Sequence, residues 1–158
     1  MAAQAWKVFG KAKKYLGNGT ITLGAGVFKM CLLRSSATAL GLSAKNTSRS
    51  TWASLSAVEI TAQGGYAAHG RNVAPATGQW TTGASANQYK FTYTTSGLVF
   101  TANGATLLNI RFAVIRNSTG SNAGNLLCYC SLSSAAFSIT SPNTLTILPA
   151  ATGVFTLT

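Results

Sequence analysis

Residues 98–116 read LVFTANGATLLNIRFAVIR, and this stretch decides the fold class. Leu98 to Thr101 and Ala105 to Arg116 are two apolar, β-branched and aromatic runs, and Ala102-Asn103-Gly104 lies between them. Asn-Gly between such runs predicts a hairpin turn. In the second run Leu108, Ile110, Phe112 and Val114 fall on one face at period two, with Asn109 and Arg111 on the other.

Working outward, the same period recurs. Residues 89–94 (YKFTYT) put Tyr89, Phe91 and Tyr93 on one side. Residues 27–34 (VFKMCLLR) put Phe28, Met30 and Leu32 together, with Lys29 opposite. Short strands are expected at 20–23, 125–132, 144–148 and 153–157, while 51–60 is ambiguous between helix and strand. Residues 35–50 and 61–88 read as surface excursions, and 117–124 as a polar loop. Residues 3–16 differ in period. Ala5, Phe9, Ala12 and Leu16 form an apolar helical stripe, Lys7, Lys11 and Lys14 a second face, and Gly17-Asn18-Gly19 a stop. The expectation is an all-β chain: one β-sandwich or jelly-roll-like domain of about eight to ten strands over residues 18–158. A basic amphipathic helix over residues 1–17 precedes it.

Composition limits the chemistry. Glu59 is the only carboxylate side chain in 158 residues, and there is no Asp. A carboxylate pair for glycoside hydrolysis cannot be built in one chain. Calcium and magnesium sites want several carboxylate oxygens. A Ser-His-Asp-type triad would need Glu59 as its acid, and no nucleophile motif surrounds any serine. No enzyme activity, cofactor or metal is therefore expected. Cys128 and Cys130 sit i, i+2 in a strand instead of on the turn that zinc prefers, so they read as small core thiols. Cys31 reads the same way, facing outward if Phe28, Met30 and Leu32 face the core. His69, in GGYAAHGRN, reads as a surface or subunit-contact histidine; a catalytic pair with Cys31 has nothing to support it.

Twelve Lys and Arg against one Glu give a net charge of +11, which attracts polyanions. The candidate partner-binding residues are Trp6, Lys7, Lys11, Lys13, Lys14 and Arg71, the first five on the N-terminal helix. The alternative is a solvated lysine face on a helix docked to the sandwich. The other charges are scattered, as suits a broad fit to an acidic partner. No run of apolar residues is long enough for a transmembrane helix. The start lacks the apolar core of a signal peptide, so an intracellular protein with reduced cysteines is expected.

The order of motifs resembles a group of small virion proteins of tailed bacteriophages. The matching positions are the aliphatic strand GVFKMCLLRSSATA, Glu59-Ile60 with Gly64-Gly65-Tyr66, and the run from Val99 to Val114. The resemblance spans residue 6 to the C-terminus. It implies a capsid cement or decoration protein that bridges head subunits. Its partners would be the major capsid protein or other virion proteins. It would be a dimer or trimer on the particle, assembled in the host cytoplasm, with direct nucleic-acid contact the less favoured option. The near absence of acids departs from the usual pattern of that group. A low-copy tail, neck or fibre component that reads carbohydrate through exposed aromatics such as Trp52 and Trp80 is the alternative. A nucleic-acid-binding accessory protein is the second.

Overall fold

The computed structural model describes residues 4–40, 49–73, 80–118 and 124–157. The longest strand organises the rest. β7 (Leu107–Asn117) lies at the centre of a six-stranded antiparallel sheet, between β2 (Phe28–Arg34) and β8 (Leu126–Ser131). β1 (Lys7–Val8) pairs with β8 at one edge, and β3 (Arg71–Asn72) pairs with β2 at the other. β9 (Phe137–Ile139) joins the leading end of β7. Two smaller ladders complete the β-structure: β6 (Leu98–Thr101) with β10 (Thr144–Ile147), and β5 (Tyr89–Phe91) between β4 (Trp80–Thr82) and β11 (Phe155–Leu157). The architecture is all-β and sandwich-like, as expected. Among the described residues, nine of the eleven strands are three residues or longer.

The central sheet is covered on both faces, which is why β2, β7 and β8 carry nearly unbroken buried runs. Register places Phe28, Met30 and Leu32 beside Ile115 and Ala113, with Cys128 and Cys130 next on β8. That face meets the smaller ladders, where Phe28 packs edge-on to Phe91 at 5.1 Å between ring centroids. The opposite face carries Cys31 and Leu33, Phe112 and Val114, and Tyr129. Here the helix α1 (Gly10–Gly17) docks, Phe9 lying 4.9 Å from Tyr129 and Ala12 fully buried. Cys31 is consequently buried and not outward-facing.

Several local expectations change, each for a physical reason. The helix begins only at Gly10; Lys7 and Val8 take Tyr129 and Cys128 as ladder partners, because β8 otherwise leaves an unpaired edge. β6 and β7 do not form a hairpin with each other. The Ala102-Asn103-Gly104 turn carries the chain from the β6–β10 ladder to the central sheet, and the Asn103 amide donates to the Gly64 carbonyl. Leu108 is exposed instead of inward. Asn109 adopts a left-handed φ of 58°, and the pairing with β9 shifts between Leu107 and Ile110. The bulge adds one residue, so Leu107 and Ile110 face the core in place of Leu108. Residues 51–60 form two short 3-10 turns, Trp52–Ser54 and Ser56–Val58, and 20–23 is not a strand.

Candidate functional site

The only side-chain carboxyl and the only histidine lie side by side. After the two 3-10 turns the chain reaches the free edge of β2, where Glu59 bridges to Leu33 and the Ile60 amide donates to the Leu32 carbonyl. β3 occupies the same edge further back, opposite Lys29 and Met30. Between them, among the described residues, the Leu32 amide meets no backbone carbonyl on this edge; it donates to the Tyr66 hydroxyl at 3.0 Å. That hydroxyl in turn donates to Glu59 Oε1 at 2.7 Å. A phenol thus stands in for a missing ladder partner, and the buried carboxyl orients it. Burial, with the nearby Cys31 and Glu59, raises the pKa of Tyr66, which keeps its proton available to donate.

His69 closes the cluster from outside. Its Nδ1 lies 3.8 Å from Glu59 Oε2 and accepts from Trp52 Nε1 at 3.3 Å. An accepting Nδ1 puts the proton of the neutral ring on Nε2, so Glu59 and His69 touch without a hydrogen bond. The Arg116 guanidinium donates to the His69 carbonyl at 3.1 Å and lies 5.3 Å over the Trp52 ring. Gly70 has a φ of 79°, and a Cβ there would run into the Met30 carbonyl and Cys31 Sγ, so the loop can lie flat on β2 only with glycine. Burial pushes the Cys31 thiol up to about 12, which favours the thiol over the thiolate. Cys130 is raised to about 12 and Cys128 well above its ordinary value, again by burial. The cluster therefore acts as a latch that seals a sheet edge. The four side chains of a conceivable zinc set are divided, with Cys128 and Cys130 on one face of the sheet and Cys31 on the other.

The candidate partner-binding residues separate. Lys11, Lys13 and Lys14 are exposed on α1, and Lys7 is exposed on β1. Trp6 and Lys7, expected on one helix, sit where strand alternation sends neighbours to opposite faces. Trp6 is half-buried and lines a cleft of about 660 Å³ together with Leu132, Phe137, Leu145 and Leu148. Arg71 is at the far edge on β3, four strand spacings or roughly 19 Å from β1. Its Nη1 donates to the Val99 carbonyl.

The arginines share one habit. Arg34, Arg49, Arg71 and Arg116 donate to the backbone carbonyls of Glu59, Ser54, Val99 and His69, and Arg111 donates to the Thr38 hydroxyl. They hold the fold together without carboxylates, while the N-terminal lysines face outward. Sequence reading missed the Glu59–Tyr66 pair, although its signal was present: the sole acid, seven residues before a tyrosine, across a Gly-Gly turn. No family model, curated protein or solved structure matches the chain.

Proposed function

We propose that the protein is a non-enzymatic virion structural protein of a tailed bacteriophage, a cement or decoration module that binds and stabilises the head shell. One observation carries the reading: the only side-chain carboxyl is buried inside the latch, while Lys7, Lys11, Lys13 and Lys14 face outward and, among the described residues, meet no carboxylate. The counter-charge is supplied by an acidic partner, and the capsid surface, with the major capsid protein, is the partner that fits the motif resemblance. The sheet covered on both faces makes a stiff block, suited to bridging subunits. Each exposed ion pair contributes little, about 0.2–1 kcal/mol. Repetition over many copies, as dimers or trimers at symmetry positions, turns weak contacts into firm attachment. The test is the copy number in purified particles by quantitative gel densitometry. Hundreds of copies per particle are expected; a handful would exclude a shell-wide cement.

A low-copy tail or fibre role has one observation in its favour. Trp80 and Tyr89 stack at 5.7 Å, and Tyr89 is 48% exposed, which offers an aromatic platform to a sugar ring. Trp52, the other aromatic considered for that task, is buried in the latch and cannot serve. A glycan array on which Tyr89→Ala binds as the unsubstituted protein does would remove this reading.

A further inference from the structure

Beside the β1 edge lies a small cup of about 160 Å³. Its wall contains Lys7 from β1, Arg111 from β7, Tyr129 and Ser131 from β8, with Gln4 and Ser134. Two cations, three hydroxyls and an amide converge there, and no acid is among them. The register explains the meeting: Lys7 is opposite Tyr129, and Ser131, two residues on, is opposite Phe112, the neighbour of Arg111. The pairing of β2 with β7 shifts between Leu33 and Arg34, which sit opposite Phe112 and Ile110, so Arg111 is the extra residue of a bulge and escapes strict alternation; its guanidinium carbon lies 5.3 Å over the Phe112 ring.

Arg111 is only partly matched. Its Nη1 donates to Thr38 Oγ1 at 2.9 Å, while its Nε is buried with no hydrogen-bond partner among the described residues. A buried guanidinium donor without an acceptor is costly and calls for one. Lys7 is exposed and stands at the same cup. A carboxyl group brought in from outside would offer two acceptor oxygens to a guanidinium and an ammonium at once, with the Ser134 hydroxyl beside them; the Ser131 hydroxyl already donates to the Ser133 carbonyl at 2.7 Å.

We infer that the cup is an oxyanion site whose occupant is a carboxylate side chain from an acidic protein partner. The choice of a protein carboxylate rests on the function proposed above; the oxyanion chemistry rests on the cup alone. Arg71 and the lysines of α1 then supply general attraction, and the Lys7–Arg111 pair supplies register.

The experiment titrates the intact protein with sodium acetate, inorganic phosphate and sodium chloride at matched ionic strength, following the Arg111 Nε–H signal by NMR. Saturable movement with the oxyanions, absent with chloride, is expected. Lys7→Met weakens it about tenfold, the share of one charge-assisted hydrogen bond. Arg111→Lys, which keeps the charge and loses the fork, weakens it comparably, and its amide spectrum reports whether the fold is retained. Identical, non-saturating shifts with all three salts would overturn the site. A second arm measures binding to purified capsids. Lys7→Glu is expected to weaken it far more than Lys13→Glu. Acetate binding without any capsid binding would keep the site and refute the proposed function. Tight phosphate binding, with duplex DNA captured through Lys7, would overturn the protein carboxylate as occupant.

Discussion

Tyr66→Phe deletes one oxygen atom from the latch, and its cost follows from what that oxygen does. The hydroxyl accepts from the Leu32 amide at 3.0 Å and donates to Glu59 Oε1 at 2.7 Å, in a side chain only 5% exposed. Phenylalanine fills the same space, so no cavity opens and the hydrophobic contribution is kept. What is lost is two hydrogen bonds at roughly 1 kcal/mol each, and a buried amide and a buried carboxyl oxygen are left unmatched. The expected destabilisation is about 2–4 kcal/mol. Against a total of about 5–15 kcal/mol for a domain, that is a large share. At this chain length it corresponds to a melting temperature lowered by roughly 5–15 °C. Urea unfolding of the variant measures it. A cycle with Glu59→Ala isolates the pair, because once Glu59 is gone the hydroxyl retains only its contact with Leu32. A coupling of about 1–2 kcal/mol is expected. A loss below ~0.5 kcal/mol for Tyr66→Phe would refute the role of Tyr66 as a ladder partner, and strict additivity in the double variant would refute its coupling to Glu59.

Three further outcomes are expected. Burial raises Cys31 and Cys130 from 9.0 to about 12 and Cys128 well above 9.0, so the folded chain holds protons that the unfolded chain releases above pH 9. Stability is therefore complete below pH 9 and falls as pH rises, by about 3–4 kcal/mol for three thiols between pH 8.5 and pH 10. Urea midpoints across that range check it, and a Cys→Ala triple variant with the same slope would contradict the assignment. For the same reason the native protein is expected to resist a thiol-specific reagent at pH 8 and to label at all three cysteines once unfolded; rapid native labelling would show that the thiols are accessible. Asn109→Val, which forces a β-branched residue into a φ of 58°, costs about 1–3 kcal/mol by thermal melt, whereas Asn109→Gly stays near the starting stability; equal melts would deny the bulge.

The bulge shows where reading by period stops being sufficient. Alternation correctly marked β7 as a strand, because apolar and β-branched residues at period two need no tertiary information to be recognised. It placed Leu108 inward because nothing in the sequence announces that Asn109 will turn left-handed; pairing with β9 selects that conformation. The N-terminal segment is the same lesson at a boundary. Helical spacing from Ala5 to Leu16 is real, yet an unpaired β8 edge outcompetes the first turn and takes Lys7 and Val8. That exchange of period 3.6 for period 2 is what separates Trp6 from Lys7. The cup was illegible for another reason: Lys7, Arg111 and Ser131 are far apart in sequence and meet only through strand order.

The amino-acid sequence by itself determined the all-β class, the lack of carboxylates for most hydrolytic and metal chemistry, and the excess of positive charge. These are properties of composition and local period, which survive any arrangement of the strands. Only the tertiary structure decided how the cations are used. It tied the arginines to carbonyls and a hydroxyl, turned the N-terminal lysines outward, and hid the one acid beneath Tyr66 and His69. Hydrogen bonds are made between neighbours in space, and in a sheet built from non-sequential strands those neighbours are set by topology.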